Sequence, residues 1–182
     1  MEKAIFLEAK PVFLRILNEA DLTDRYLQWL NDEEVSRFNS HGVFPNTAEK
    51  MRQFYESINP QKQVVLAIIE RAANLHVGNV SLQAINWINR SAEFAILLGD
   101  KNCWGKGIGT AAAQLIVQYG FDRLNLHRIY CGTIAGNTGM EKLAKKLKMK
   151  EEGRRREAVY KNGSYHDIIE YGVLRNEYLK GS

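Results

Sequence analysis

The residues whose types and spacing could do chemistry run from Gly99 to Thr110: Gly-Asp-Lys-Asn-Cys-Trp-Gly-Lys-Gly-Ile-Gly-Thr. Gly105, Gly107 and Gly109 remove every second side chain, so backbone N–H groups can approach a ligand closely. A strand pattern ends before this stretch and an amphipathic helix pattern starts within it. A helix N-terminus adds unpaired donors and a partial positive charge. Together these features make a cradle for a phosphate or pyrophosphate, and Lys106 adds a full charge. Just upstream, Glu93 interrupts an otherwise apolar run, where a carboxylate can serve as a general base.

Two common phosphate motifs fit the stretch poorly. A P-loop needs four residues between its first glycine and Gly-Lys, then Ser or Thr. Here Gly99 precedes Gly105 by too much, and Gly107 follows Lys106, so no hydroxyl is offered to Mg²⁺. A dinucleotide fingerprint does fit as Gly107-x-Gly109-x-x-Ala112, but it also wants an acid at the end of the next strand. That strand runs out into Gly132-Thr133-Ile134-Ala135-Gly136-Asn137, with no acid.

Other reactive side chains form no constellation. His41, His76, His127 and His166 show no metal-ligand spacing, and there is no Cys-x-x-Cys, so no metal is expected. No Gly-x-Ser-x-Gly elbow is present. Cys103 lies beside the cradle and would titrate low at a helix start, but it reads as a bystander. Lys142, Lys145, Lys146, Lys148, Lys150 and Arg154 to Arg156 form a basic tract. It reads as a solvated face from which one or two cations could reach a phosphate or an acidic substrate. Aromatic residues are not interleaved with it, which argues against nucleic acid.

The elements that must position these residues follow from periodicity. Strands are expected at 12–16, 64–70, 77–84, 92–98 and 128–133, with two closing strands near 152–161 and 167–174 joined by the turn Asn162-Gly163. In 92–98, Ala92, Phe94, Ile96 and Leu98 face one way, Glu93, Ala95 and Leu97 the other. Asn18 is expected to cap a helix carrying Leu22, Tyr26, Trp29 and Leu30. A capping box Asn31-x-x-Glu34 starts a short helix ending near Phe38, and 41–46 is a loop. Thr47 caps a helix with the stripe Met51, Phe54, Tyr55 and Ile58, stopped by Asn59-Pro60. Helices then span 105–119, with Ile108, Ala112, Leu115 and Tyr119 on one face, and 138–147, opened by Thr138-x-x-Glu141. The sum is a mixed α+β domain, 1–182, in three layers. Its sheet is mostly antiparallel with one strand–helix–strand crossover.

Composition bounds the rest. The chain has 182 residues, 45% hydrophobic and 25% charged, which is ordinary globular usage and argues against disorder. The longest aliphatic run, 64–69, is too short for a membrane span. The start, Met1-Glu2-Lys3-Ala4-Ile5-Phe6-Leu7-Glu8, has no leader-like apolar core, and two cysteines make no disulfide framework, so a cytoplasmic chain is expected. The net charge of +4 permits an anionic ligand without demanding nucleic acid.

Trp104-x-x-Gly107-x-Gly109 resembles the Gln/Arg-x-x-Gly-x-Gly/Ala pyrophosphate loop of the GNAT superfamily of acyl-CoA-dependent N-acetyltransferases. The similarity runs from about Val12 to Tyr178. It looks strongest to the branch holding ribosomal-protein-alanine, spermidine and amino-sugar acetyltransferases, where Trp-Gly-Lys-Gly is common. The resemblance implies acetyl-CoA as acyl donor and a primary amine as acceptor: a protein N-terminus, a polyamine or an amino sugar. It implies cofactor contacts at Trp104, Gly105, Lys106, Gly107, Ile108, Gly109 and Thr110, and at Asn137 on the CoA arm. The pantetheine arm would lie where strands 92–98 and 128–133 splay apart. Glu93 matches a position where this branch commonly carries Glu.

This chain departs from the family pattern at three places. Met140 stands where a small residue is usual, and Lys148-Met149 replaces Gly-Phe. Ala144 replaces the Tyr that protonates the leaving thiolate in many members. Tyr165 and Tyr171 are alternative donors that read more readily as packing. Trp29, Phe38, Phe44 and Trp87 are candidates for an acceptor pocket, with Trp29 also fitting a core stripe. A non-catalytic acyl-CoA-binding module and a dinucleotide-binding enzyme remain as alternatives at this point, and the oligomeric state is unread, with a homodimer as one option.

Overall fold

The computed structural model describes residues 4–180; Met1 to Lys3, part of the start read above, lie outside the described residues. Eight strands form one sheet: β1 (Leu7–Ala9), β2 (Val12–Ile16), β3 (Val64–Glu70), β4 (Leu75–Asn86), β5 (Ser91–Leu98), β6 (Arg128–Ile134), β7 (Lys150–Lys161) and β8 (Ser164–Leu174). Their order is β1-β2-β3-β4-β5-β6-β8-β7. Every pairing is antiparallel except β5 with β6. The helices are α1 (Asp24–Asn31), α2 (Glu33–Ser36), α3 (Ala48–Glu56), α4 (Ile108–Asp122), α5 (Thr138–Lys146) and α6 (Arg175–Leu179).

The middle of the sheet is buried on both faces, which gives the three expected layers, while the edge strand β7 is largely exposed. In β3, Leu66 and Ile68 join the large core under α4, whereas Val65, Ala67 and Ile69 pack with Tyr55 and Ile58 on the opposite face. The α4 stripe is Ile108, Ala112, Ala113, Ile116, Val117, Gly120 and Phe121, all buried. It is rotated from the expected face, so Leu115 and Tyr119 only flank it. Gly120 lets this helix sit close to the sheet: a Cβ there would lie 2.8 Å from Leu82 and 2.9 Å from Ile129.

Three expected caps moved. Asn18 caps a short 3₁₀ turn, Glu19–Asp21, while α1 begins later on the Thr23 hydroxyl, which accepts from Tyr26 N. Asp32, not Asn31, caps α2 by accepting from Glu34 N and Val35 N. Asn31 instead ties down the following loop through Asn46, accepting from its N–H at 2.9 Å. Asn137, not Thr138, caps α5, accepting from Met140 N. At 31/32 and 137/138 two adjacent residues could both cap, and backbone geometry decided between them; Asn18 caps its own short turn, five residues before Thr23. The α4 helix starts at Ile108 and not Gly105, because Gly105 and Gly107 take φ of +73° and +78°. The turn at Asn162-Gly163 has φ of +50° and +84°, as its residues predict.

Candidate functional site

Glu93 stands at a fork in the sheet. The parallel ladder between β5 and β6 holds only for Ser91–Arg128, Ala92–Ile129 and Glu93–Tyr130. Beyond it, residues 94–98 pair with β4 alone and residues 131–134 with β8 alone. Two strand edges therefore face each other across a gap in mid-sheet. They present backbone donors and acceptors that a ligand with amide groups can satisfy. The gap leads from Glu93 to the turn that opens α4.

That turn is built from backbone. Gly107 is the N-cap of α4 and, having no side chain, makes no capping hydrogen bond. The first-turn N–H groups of Ile108, Gly109 and Thr110 thus point outward at the positive end of a helix of four turns. A Cβ at Gly105 or Gly107 would meet nothing within 4 Å, so open space lies over the loop. The Ile108 side chain is buried and only its backbone faces the cradle. Trp104 braces the turn: its Nε1–H donates to Leu98 O at 2.8 Å, across the loop it closes. Lys146 of α5 reaches the helix start, with Nζ 3.4 Å from Thr110 Oγ1. Lys106 is exposed at the rim, in a hollow shared with Cys103. The Cys103 thiol is pushed up by burial and by the Asp100 charge, against the low value expected at a helix start.

On the other side of the sheet lies a cavity of about 550 Å³. Its floor is Asn79, Ser81 and Gln83 of β4 with Glu93 and Ala95 of β5; Thr133 of β6 closes one side, and Tyr26, Leu30, Met51 and Phe54 of α1 and α3 form the roof. Residues 38–41 and Val159 complete the mouth. Glu93 and Gln83 are cross-strand partners on this floor. Tyr26 is 4% exposed, and burial pushes its hydroxyl pKa up to about 12. Behind it lies a buried polar cluster. Arg15 donates two hydrogen bonds of 2.6 Å to Asp21. His76 Nε2 lies 2.9 Å from both Gly78 O and Asn79 Oδ1. Both partners are acceptors, so Nε2 carries the proton. Burial lowers the His76 pKa.

The sequence-predicted residues divide cleanly. Glu93 and Phe38 line the cavity; the cradle residues gather at the head of α4. Asn137 uses its amide to cap α5 and to donate to Thr133 Oγ1 at 2.9 Å. Tyr171 packs in the core, and Tyr165 is exposed on the β7–β8 hairpin beside Tyr160. Neither lines the cavity. Ala144 is fully buried. Trp29 is core, whereas Phe44 and Trp87 are exposed and do not line the cavity. Part of the basic tract is engaged in ion pairs: Lys150 with Glu177, Arg154 with Asp167, Arg155 with Glu170. The polar floor of β4 and the residues at 39–41 were not anticipated. Alternation in 77–84 marks Asn79, Ser81 and Gln83 as one face, but nothing local says that a cavity covers it.

A family model described as the acetyltransferase (GNAT) domain matches residues 12–150. The chain belongs to this family. The spermidine N(1)-acetyltransferase of Escherichia coli (strain K12) is 31% identical over 175 residues, covering 94% of this chain and 90% of that one. A match of 34% identity to the protein named "Putative ribosomal N-acetyltransferase YdaF" of Bacillus subtilis (strain 168) is partial, covering 56% of this chain and 55% of that protein. Among solved structures, the spermidine N-acetyltransferase of Vibrio cholerae, in complex with CoA and spermine, superposes with a TM-score of 0.84 at 26% identity, covering 94% of this chain and 99% of that one. The GNAT assignment displaces the dinucleotide-enzyme reading of the glycine turn. Among the described residues, no helix is long and apolar enough to cross a membrane.

Proposed function

We propose that this protein transfers the acetyl group of acetyl-CoA to a primary amine by direct attack within a ternary complex, with Glu93 as the base. The observation that carries the reading is the position of Glu93 at the fork. It lies on the cavity floor at one end of a gap whose other end is the uncapped head of α4. Gly105, Lys106, Gly107, Gly109 and Thr110 would hold the pyrophosphate through backbone N–H groups and the Lys106 charge. Trp104 and Ile108 fix the turn, and the second N–H of the Asn137 amide is the one offered to the CoA arm. Acetyl-CoA supplies the thioester carbonyl, so the protein's part is to position, desolvate and take a proton.

The amine must lose its proton before it attacks. At pH 7 that costs about 4–5 kcal/mol for a lysine-like amine and about 1 kcal/mol for an α-amine. Lining charges favour the second kind of acceptor. Glu93 is the single carboxylate lining the cavity among the described residues, and Lys50 and His41 stand at the mouth. Further ammonium groups on a polyamine would meet Lys50 there and no carboxylate. A peptide N-terminus, with one amine and a neutral or acidic continuation, fits better. The reading is of one transferase domain in a reducing cytoplasm, in keeping with the continuous sheet and the buried free thiols Cys103 and Cys131.

Release of free thiol from acetyl-CoA, measured across α-amino peptides, polyamines and amino sugars, tests the proposal. Turnover with peptides above polyamines is expected, and absence of turnover with every amine would refute it. Thermal protection by CoA but not by a pantetheine lacking the pyrophosphate tests the cradle separately.

A further inference from the structure

Lys161 ends β7 and is 8% exposed, yet no carboxylate lies within ion-pair distance of it among the described residues. Its ammonium instead donates to three backbone carbonyls of one connection: Ser36 O at 2.5 Å, Asn39 O at 2.5 Å and His41 O at 3.2 Å. A protonated lysine has three N–H donors and no acceptor, so these contacts use all of them. The partners are 120 to 125 residues away in sequence.

The connection it grips is the mouth of the cavity. Phe38, Asn39, Ser40 and His41 wall one side, while Val159 and Ile168 of the β7–β8 hairpin wall another. One ammonium therefore ties the helical side of the mouth to the hairpin side. The converging carbonyls favour it: three carbonyl oxygens turned toward one point repel each other, and without the cation Ser36 O keeps only the Asn39 N–H at 3.1 Å while Asn39 O and His41 O lose their Lys161 donor. The turn at Gly42, with φ of +79°, folds back so tightly that a Cβ there would lie 2.7 Å from Ser36 Oγ. Residues 36–42 thus form a small knot whose centre is the Lys161 ammonium. Burial lowers the Lys161 pKa, in keeping with a charge held by dipoles instead of by a counter-ion.

We infer that Lys161 is a positioning residue that clasps the acceptor side of the cavity shut, governing acceptor binding while leaving the CoA side untouched. The proposed CoA cradle and the fork lie on α4, β5 and β6, and the ammonium's three hydrogen bonds go to none of these elements. The substrate readout rests on the amine-transfer reading; the structural readout does not.

The test compares Lys161→Met and Lys161→Arg with wild type, using acetyl-CoA and a short peptide with a free α-amine. Lys161→Met should raise the peptide KM by about 10- to 100-fold, as expected for losing charged hydrogen bonds, with the acetyl-CoA KM changed by less than about twofold. Lys161→Arg, which keeps charge and donors, should recover most of the loss. Hydrogen exchange of amides in 36–46 should quicken in Lys161→Met while the sheet stays protected. A parallel rise in both KM values, or an Arg variant no better than Met, overturns the inference. Should Lys161→Met not fold, labelling of wild type with N-hydroxysuccinimidyl acetate decides: Lys161 should react many-fold more slowly than exposed Lys62, and equal rates overturn the clasp. If the wild type does not acetylate the peptide, the transfer reading fails alone, and exchange and labelling still decide the clasp.

Discussion

The two sides of the site are made in different ways. The side proposed for the cofactor is backbone: three glycines within five residues, a bare helix N-terminus and two strand edges that part. The side proposed for the acceptor is side chain: a floor from β4 and β5, a roof from α1 and α3, and a mouth held by a lysine from the far end of the chain. Backbone donors recognise what all reactions of one family share. Side chains borrowed from distant elements can change without disturbing them. The two halves are joined at few points. Arg25 pairs with Asp100, and Lys101 with Asp32 at 2.8 Å and Glu34 at 3.1 Å, fastening α1 and the head of α2 to the start of the loop. Trp29 lies flat against Gly99, where any Cβ would fall within 2.0 Å of the indole. Substitutions confined to one half should therefore separate CoA effects from acceptor effects.

The largest effect is expected where the halves meet. Glu93→Gln should leave CoA affinity nearly unchanged and lower kcat by about 10²- to 10⁴-fold, the range for losing a general base. The deficit should shrink as pH rises, because more of the amine is neutral without help. It should also be smaller for acceptors of low amine pKa. A pH–rate profile identical to wild type, or loss of CoA affinity in step with rate, would show that Glu93 serves the fold.

Next comes the support behind the acceptor roof. Asp21 is 3% exposed, bound by Arg15, and 4.0 Å from His76, whose ring packs edge-on against Tyr26 and Trp29. Burial alone would raise the Asp21 pKa, but hydrogen bonds from Arg15 and Asn18 N–H, with the Arg15 and His76 charges, hold it below the ordinary value. The sign follows from linkage: a lowered folded pKa gives stability that is present above the unfolded pKa, about 3.9, and lost as pH falls through the folded one. Wild-type Tm should therefore drop on acidification below about pH 4 more steeply than that of Asp21→Asn. At pH 7 Asp21→Asn should cost about 3–5 kcal/mol, because Arg15 is left buried without its counter-charge. Denaturant unfolding of both proteins measures this. Peptide KM should worsen more than acetyl-CoA KM, since the roof is loosened and the cradle is not.

Legibility in the sequence followed the same division. The glycine spacing, the fork strands and the alternation that sets Glu93 apart from Phe94 are local patterns, so the α+β architecture and the glycine turn at the head of α4 could be read directly. Element ends were less secure, because Asn18, Asn31 and Thr138 are competent caps that lost to Thr23, Asp32 and Asn137. β1 has three residues, too few to show a period. The acceptor cavity was mostly illegible. Lys161 looks like a solvent-facing charge next to a hairpin turn, and only the tertiary fold brings it to Ser36 and Asn39. Phe44 and Trp87 looked like pocket residues by type, and exposure on separate loops removed them.

On the cofactor side, Gly107→Val should raise the acetyl-CoA dissociation constant by about tenfold or more. A β-branched residue at φ of +78° carries roughly 1–2 kcal/mol of strain, and its bulk enters the space over the loop. Gly109→Ala sharpens the comparison. Its Cβ would sit 3.8 Å from Ile96 and Leu98, ordinary contact, so the fold should keep its Tm. Calorimetric titration with acetyl-CoA reads both variants, and peptide affinity measured without CoA should not move in either. If Gly107→Val left acetyl-CoA binding intact, the backbone of this turn would not be the cradle.

The smallest effect is expected at Trp104. Its indole is 38% exposed, and its Nε1–H reaches Leu98 O, so its part is to hold the loop. Trp104→Phe keeps an aromatic ring and removes this one hydrogen bond, a loss of about 0.5–1.5 kcal/mol. If that cost falls wholly on the bound form, acetyl-CoA affinity drops by roughly 2- to 12-fold. If the loop is equally braced in free protein, the same loss appears as a lower Tm and affinity is unchanged. Titration and thermal melting of one variant thus tell whether the cradle is preorganised or assembled on binding. Trp104→Arg should behave like Trp104→Phe if, as proposed, the turn's backbone does the binding. A loss larger than that of Gly107→Val would make the ring itself a ligand contact, and the cofactor side would then rest on a side chain as the acceptor side does.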